Sequence, residues 1–328
     1  MGSQSVRPIG DIVKKILSSA VFAACALVAF SATAATVQAI VPFPAGGPLD
    51  LVARIVTAQM QQASGDVFVV DNRGGANGMI GARLAAGGAT NGSSLLFADG
   101  AMVTVNPRLY PRDPAFDAER DLKVVAAVAF QPAVLVVNTS VPAKGLKDFI
   151  AYAKDKRLDY ASGGLGSQGH LTMAAFASAA GLDMTHVPYK GGAPAMNDLV
   201  GGQVPAAFVG VAGAMGFIKS GRLRALAVSG DQRVPAMPDV PTVSEAGLPG
   251  FVMQGAYFVM VPSKTPDAVV KDLEQRVLAA ASDKQAQQKL RDLGLDAKTM
   301  DRAASERWLA AERQRMGKLI ADHGIKAE

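Results

Sequence analysis

The sequence predicts an α/β protein with two lobes, each built on a doubly wound sheet, that are joined by two crossing strands. Two observations favour this fold. Short apolar runs alternate with glycine-rich turns and amphipathic helices, a pattern typical of parallel strands with crossover helices. In addition, two long apolar runs, residues 124–137 and 255–261, bracket a complete α/β segment, as expected if the chain leaves one lobe and later returns to it.

The first lobe begins with a predicted strand at residues 37–41 and a helix that starts near Pro48. Proline suits the first position of a helix, and the acidic Asp50 is favourable in the first turn. The apolar residues of this helix recur at helical spacing and predict one buried face. Further strands of this lobe are expected at residues 67–70 and 94–98.

The pattern of strands and helices starts again after the first long apolar run. Strands are expected at residues 158–161, 184–189, 204–209 and 223–228, with helices at 144–156 and 168–180. Three helices end the chain. We therefore expect residues 130–255 to form a second domain, inserted between the two parts of the first domain, residues 36–129 and 256–328.

The first 35 residues have the three parts of a secretory signal peptide. A basic start is followed by an uncharged apolar run, residues 16–30, and by small residues at 32–34. This run is shorter than the roughly 20 residues that span a bilayer. We therefore expect cleavage near Ala34 or Ala35 and a periplasmic protein. Cys25, the single cysteine, leaves with the peptide unless it is lipidated.

Composition argues against several classes of function. The formal net charge is +5, but the basic residues are scattered without interleaved aromatics, so we expect no nucleic-acid binding. The histidines do not have metal-binding spacing, and we expect no metal and no other cofactor. No GxSxG motif occurs, and neither loop described below places a nucleophile beside a base, so we expect no enzymatic activity.

Two glycine-rich loops, residues 45–47 and 162–168, each come just before a helix. Backbone N–H groups at a helix start bind carboxylate or phosphate, so these loops predict ligand contacts. If they lie in opposite lobes, a ligand with a carboxylate at each end would bridge the cleft. Further candidates, each of which also suits a structural role, are Asp50, His170, Tyr189 and Lys190.

One motif supports an alternative function. Gly164-x-Gly166-x-x-Gly169 follows a strand, opens a helix and matches the dinucleotide-binding pattern, with Asp183 at a suitable distance. A nucleotide-dependent enzyme is therefore the rival hypothesis. However, the strand before the motif contains Asp159, whereas that strand is usually wholly apolar, and an exported protein has little access to NAD.

Four segments resemble the substrate-binding receptors of tripartite tricarboxylate transporters, also called Bug receptors. They begin VPFPAGGPLD, VDNRGGANG, VPYKGG and GRLRALA, at residues 41, 70, 187 and 221. The resemblance implies a two-lobed periplasmic binding protein fold that is similar to type II. We also expect a monomer. The resemblance also implies a receptor that closes on a small carboxylate and delivers it to the permease subunits of a membrane transporter. The expected carboxylate is a di- or tricarboxylate, an amino acid or an aromatic acid. A sensor for a membrane signalling partner stays open as an alternative.

The resemblance also implies which residues contact the ligand. In the family, a first-lobe turn holds a ligand carboxylate through backbone amides and ordered water, and a Ser/Gly loop of the second lobe faces it. Together with the candidates above, the expected ligand-binding residues are Phe43, Ala45, Gly46, Gly47, Asp50, Asp99, Ala101, Thr104, Ser162, Gly163, Gly166, Ser167, His170, Tyr189 and Lys190. The chain departs from the family pattern at Gly74 and Pro205, so the identity of the acid stays open.

Overall fold

The computed structural model describes residues 35–110 and 116–326. The predicted signal peptide, including Cys25, lies outside these residues apart from Ala35, so its cleavage site stays a prediction. Among the described helices, none is both long and apolar enough to cross a membrane. Residues from Thr36 onward form one compact unit.

Strands and helices alternate through most of the described chain. The strands are β1 Thr36–Val41, β2 Val67–Asn72, β3 Ser94–Asp99, β4 Leu122–Asn138, β5 Leu158–Ser162, β6 Met184–Pro188, β7 Ala206–Gly210, β8 Leu223–Val228 and β9 Gln254–Pro262. The α-helices are α1 Pro48–Ser64, α2 Met79–Ala86, α3 Ala101–Thr104, α4 Asn106–Leu109, α5 Ala118–Asp121, α6 Leu146–Asp155, α7 Gln168–Ala180, α8 Gly192–Val200, α9 Val211–Lys219, α10 Asp267–Ala281, α11 Lys284–Asp292 and α12 Arg302–Asp322. A 3₁₀ turn covers Ala76–Gly78.

The long strand β4 belongs to two sheets. Its first part pairs antiparallel with β9, which continues through β3 and β1 to β2 at the edge. Its second part pairs antiparallel with β7 and β8, and β5 and β6 follow beyond β7. We call the first sheet and its helices the first lobe, and the second sheet and its helices the second lobe. Strands β1 to β3 run parallel, as do β5 to β7, whereas β4 and β9 make the sheets mixed.

The chain passes between the lobes where β4 and β9 lie side by side. Gln131 pairs with Gly255, and Pro132 pairs with Gln254 at the start of β9. Proline lacks the N–H that a strand interior requires, and this position, where β4 changes partners, tolerates its absence. The domain boundaries expected at 129/130 and 255/256 fall in this stretch and stay a prediction.

Helices pack their apolar sides against both faces of each sheet. In the first lobe, Val52, Val56 and Met60 of α1 are buried against the sheet, which confirms the predicted helix face. In the second lobe, Phe176 of α7 packs edge-on against Phe208 of β7. Burial of such apolar surface is the main stabilising contribution to both lobes.

Helix α12 contacts both lobes. Near its N-terminus, Leu309 is buried in the first-lobe core. Toward its C-terminus, Met316 and Ile320 form an apolar cluster with Leu171 of α7 and with Met253, which precedes β9. The last helix of the chain therefore adds a third connection between the lobes, besides the two crossing strands.

Candidate functional site

A cavity of about 210 Å³ lies between the two lobes. The first-lobe wall of the cavity is formed by residues at the ends of β1 and β3 and by residues of α3 and α12. Much of the opposite wall is formed by the loop before α7 and by the first turns of that helix. Of the expected ligand-binding residues, those that line this cavity are Phe43, Asp99, Ala101, Thr104, Gly166 and Ser167. The structure thus brings three predicted segments together at one place.

The loop before α7 is held rigidly against the cavity. Ser167 caps the helix by accepting a hydrogen bond from His170 N–H. Gln168 Nε2 donates to the carbonyl of Gln131, 2.6 Å away in the crossing strand. Gly166 has a φ of +71°, and a Cβ at this position would lie 2.3 Å from Cδ1 of Leu109 in α4. The positive φ favours glycine, and a larger residue would require the end of the Leu109 side chain to shift.

Two histidines support the same loop from behind. Nδ1 of His170 accepts a hydrogen bond from Gly166 N–H at 3.0 Å. The rings of His170 and His186 stack with centroids 3.8 Å apart, and the Tyr160 ring stacks on His186 at 5.0 Å. Burial lowers the pKa of each histidine to about 4, so both are neutral at pH 7. His170 therefore positions Gly166 and is not among the residues that line the cavity.

The structure corrects one expectation from the sequence: a hydroxyl does lie beside a base. Ser162 Oγ is 2.6 Å from Nε2 of His186. The serine is buried, however, and its hydroxyl also bonds to the backbone of Gly164. The lowered pKa makes His186 a weak base. This pair therefore fixes the turn of the loop, and the geometry gives the serine no access to a substrate.

The first-lobe turn is organised by the carboxylate of Asp50. It accepts hydrogen bonds from Gly46 N–H and Arg54 Nε at 2.9 Å, and from Asn72 Nδ2 at 3.0 Å. Burial opposes the charge, but these bonds hold the pKa of Asp50 below its ordinary value. Asn72 also donates to the carbonyl of Phe43. Asp50 therefore shapes the turn, and the Gly46 amide is already occupied.

Two carboxyl groups line the first-lobe wall. Asp99 Oδ1 accepts a hydrogen bond from Ala101 N–H at 2.9 Å, and burial raises the pKa of Asp99. Glu312 of α12 is paired with Arg315, although burial raises the pKa of Glu312 as well. Thr104 Oγ1 donates to the carbonyl of Gly100, which holds the turn between β3 and α3. No lysine, arginine or histidine lines the cavity within the described ranges.

The other expected residues lie outside the lining of the cavity. Tyr189 donates its hydroxyl to Asp198 Oδ2 at 2.7 Å, and Lys190 is exposed. The remaining residues of this group are Ala45, Gly46, Gly47, Asp50, Ser162, Gly163 and His170. Of these, Ala45 and Gly46 are exposed on the first-lobe turn.

Sequence reasoning missed an entire wall of the cavity. Three residues of α12 spaced four apart, Trp308, Glu312 and Met316, lie on one face of the helix and line the cavity. Asn77 and Asn106 line the cavity as well. An acid within an otherwise apolar helical stripe was a usable signal for Glu312. The asparagines, which hydrogen-bond to each other at 2.8 and 3.0 Å, gave no such signal.

The glycines of the dinucleotide-like motif have packing roles. A Cβ at Gly169 would lie 2.4 Å from the carbonyl oxygen of Phe208, and Gly166 faces Leu109. Backbone packing therefore accounts for Gly169, and the positive φ of Gly166 accounts for that glycine, so neither position needs a phosphate-binding role to explain it. Among the described residues, no group of three histidine, aspartate, glutamate or cysteine side chains could hold a metal ion.

Two α/β lobes that enclose a small cavity near their crossing strands define the class of two-lobed solute-binding proteins. Residues 52–325 match the tripartite tricarboxylate transporter family receptor, and the chain belongs to this family. This confirms the family resemblance and the two-lobed α/β fold predicted from the sequence.

Similar proteins of known sequence and structure agree with this assignment. The BugT protein of Bordetella pertussis is 33% identical over 293 residues, covering 88% of this chain and 90% of BugT. Rpa4515 of R. palustris, solved with adipate, has a TM-score of 0.78 and 32% identity, with 90% of this chain and 99% of that chain covered. MatC of Rhodopseudomonas palustris, with bound malate, has a TM-score of 0.71 and 29% identity, with 88% and 99% covered.

Proposed function

We propose that this protein is a periplasmic receptor that binds a small carboxylate between its lobes and delivers it to the permease subunits of a tripartite tricarboxylate transporter. The observation that carries the proposal is the cavity lined from both lobes, in a chain that belongs to this receptor family. Related receptors solved with adipate and malate support a carboxylate as the ligand. We further propose that the exported receptor is a monomer without enzymatic activity.

The N-terminus of α7 is the proposed site for the ligand carboxylate. The first N–H groups of a helix have no partner within the helix and carry partial positive charge. Ser167 and Gln168 bring this end of α7 to the cavity, and Ser167 adds a hydroxyl. Hydrogen bonds to a charged group contribute about 1.5–3 kcal/mol each. A few of them, less the cost of ordering the ligand and closing the lobes, suffice for micromolar binding.

Closure of the lobes couples binding to delivery. A ligand that contacts both walls binds the closed state better than the open one and shifts the population toward it. Residues near Gln131 and Gly255, where both strands cross between the lobes, are the proposed hinge. The closed receptor would then present a different surface to the membrane subunits than the empty one.

Native mass spectrometry of protein purified gently from its periplasmic source tests the proposal. We expect a small acid to be retained, and small-angle scattering should show compaction when that acid is added back to ligand-free protein. Hydrogen exchange should show joint protection of residues 43–50 and 162–170. A saturable complex with NAD, NADP or ATP at micromolar concentration would instead favour the nucleotide-dependent enzyme.

A further inference from the structure

A second cavity adjoins the cavity between the lobes. It has a volume of about 290 Å³ and is lined by residues of α7 and α12 and by residues 250–253, which precede β9. We call it the outer groove. Ala175, Phe251 and Leu319 line it and are only partly buried, so the groove presents apolar surface to solvent. An apolar group that fills the groove would remove this surface from water, which is favourable.

Two methionines stand between the cavity and the outer groove. Met253 and Met316 line both of them, and both side chains are buried in an apolar cluster that includes Leu171. Methionine is unbranched and has three rotatable bonds, so it adapts its shape to a neighbouring group. The barrier between the two spaces is therefore apolar and adaptable, which suits the passage of an alkyl chain.

The faces of two helices continue from the cavity into the outer groove. On α7, Gln168 and Leu171 line the cavity and Ala175 lines the groove. Residues three and four apart share one face of a helix, so these positions form a continuous wall. Met316 and Leu319 continue the opposite wall on α12 with the same spacing. At a rise of about 1.5 Å per residue, Gln168 and Ala175 lie about 10 Å apart along α7.

The charges of the cavity favour an acid with one carboxylate over an acid with two. The proposed position of the carboxylate is the N-terminus of α7, where Ser167 and Gln168 line the cavity. Within the described ranges, the ionisable residues of the lining are Asp99 and Glu312, and both are acidic. A second carboxylate would therefore lose its water without gaining a cationic partner, which is costly.

The cavity by itself holds only a short acid. Liquid water occupies about 30 Å³ per molecule, so a cavity of about 210 Å³ holds about seven groups of that size. An acid of about five carbons, together with its two oxygens, fills this space. A longer chain needs the outer groove, which has room for it at about 290 Å³.

Building on the proposed receptor function, we infer that the ligand is a straight-chain monocarboxylate whose carboxylate lies at the N-terminus of α7 and whose alkyl tail passes Met253 and Met316 into the outer groove. Because C–C bonds are about 1.5 Å long, an extended alkyl chain gains about 1.3 Å per carbon. About eight carbons therefore cover the distance of about 10 Å from Gln168 to Ala175. The outer groove is then the subsite that determines the preferred chain length.

Calorimetric titration of the full mature protein with straight-chain acids tests the inference. The series runs from butanoate to decanoate, and the dicarboxylate of each chain length serves as the comparison. We expect the Kd of the monocarboxylates to fall about fourfold per added methylene up to octanoate, because each methylene leaves water. Octanoate should bind at least about tenfold more tightly than the dicarboxylate of the same length. An affinity that peaks at about five carbons, or a dicarboxylate as the tightest ligand, would overturn the inference and leave the receptor function standing.

Ala175→Phe separates the tail subsite from the carboxylate site. The larger side chain fills part of the outer groove from α7, about 10 Å from Gln168. We expect this substitution to weaken octanoate binding at least about tenfold more than butanoate binding. The matched control, Ala179→Phe, makes the same change on α7 at an exposed position that does not line the groove, and it should alter neither affinity.

The remaining outcomes are also distinguishable. If Ala175→Phe weakens both acids by the same factor, or weakens neither, the tail does not occupy the groove and the inference is wrong. If the wild-type protein binds no acid of either class and retains none when purified, the receptor function fails and the inference fails with it.

Urea unfolding of each variant verifies that the fold is kept. If Ala175→Phe does not fold, Leu319→Ala takes its place, because it removes part of the groove lining without adding bulk. We expect Leu319→Ala to weaken octanoate binding at least about threefold more than butanoate binding. Equal effects on the two acids would refute the inference.

Discussion

Replacing Gly166 with alanine tests whether the contact between the lobes belongs to the ligand-bound state. Gly166 has a positive φ, which costs an alanine about 1 kcal/mol. The added Cβ would also lie 2.3 Å from Cδ1 of Leu109. Because Cδ1 is the end of a leucine side chain that can shift, this overpacking costs about 1 kcal/mol, at the low end of the usual range. Because Leu109 lies in the first lobe and Gly166 in the second, separation of the lobes relieves the contact but not the backbone strain.

Gly181→Ala is the matched control. Gly181 has a φ of +64° at the end of α7, and a Cβ there has no neighbour within 4 Å. We expect urea unfolding to show a loss of about 1 kcal/mol for Gly181→Ala and about 2 kcal/mol for Gly166→Ala. In calorimetry with the acid retained by the native protein, Gly166→Ala should bind about fivefold more weakly, and the control should bind normally.

Removing the opposing side chain completes the test. In the background of Gly166→Ala, the substitution Leu109→Ala opens space for the new Cβ and should restore most of the affinity, although it also removes buried apolar surface. Equal ligand affinities for the Gly166 and Gly181 variants, or no recovery in the double variant, would show that the bound state lacks this contact.

Three further predictions address the supporting structure. The unfolding free energy should fall as the pH is lowered from about 6.5 to about 4, because the unfolded chain protonates His170 and His186 there while the folded protein keeps the lowered pKa of each. About 1.4 kcal/mol per pKa unit gives a loss on the order of 3 kcal/mol for each histidine before solvent screening, and a flat profile in urea titrations would contradict the neutral stack. Ser167→Ala should destabilise the protein by about 1 kcal/mol through loss of the helix cap and should also weaken acid binding, whereas an effect on stability alone would limit Ser167 to capping. The intact mass of the periplasmic protein should correspond to a chain that starts near Ala35 or Thr36, and a mass that includes Cys25 would refute cleavage at this position.

Local patterns were sufficient to predict most of the elements. The expected helix at 168–180 is α7, residue for residue, and the long apolar runs became β4 and β9 with their ends shifted by one or two residues. The periodicity of apolar residues and the length of an apolar run depend only on neighbours in sequence, so both can be read without knowledge of the fold. The antiparallel insertion of β9 between β3 and β4 carries no such local signature.

The sequence predicted only those cavity residues that lie in the turns between strands and helices. Phe43, Asp99 and Ser167 follow strands or precede helices, and such positions are readable from the sequence. Glu312 reaches the cavity because α12 packs across it, which depends on tertiary packing between residues far apart in sequence. The stack of His170 on His186 depends likewise on how α7 lies against the second sheet.

The position of α12 has a consequence for how the chain acquires its structure. A chain that leaves the ribosome, or crosses a membrane with its N-terminus first, releases Arg302–Asp322 last. The second part of β4 can pair with β7 and β8 before that moment, whereas β3 and the first part of β4 pair only with β9, which comes later in the chain. Until α12 docks, Leu171 and Met253 lack their apolar cover. A chain without this helix would therefore leave the apolar side chains of Leu171 and Met253 exposed to solvent.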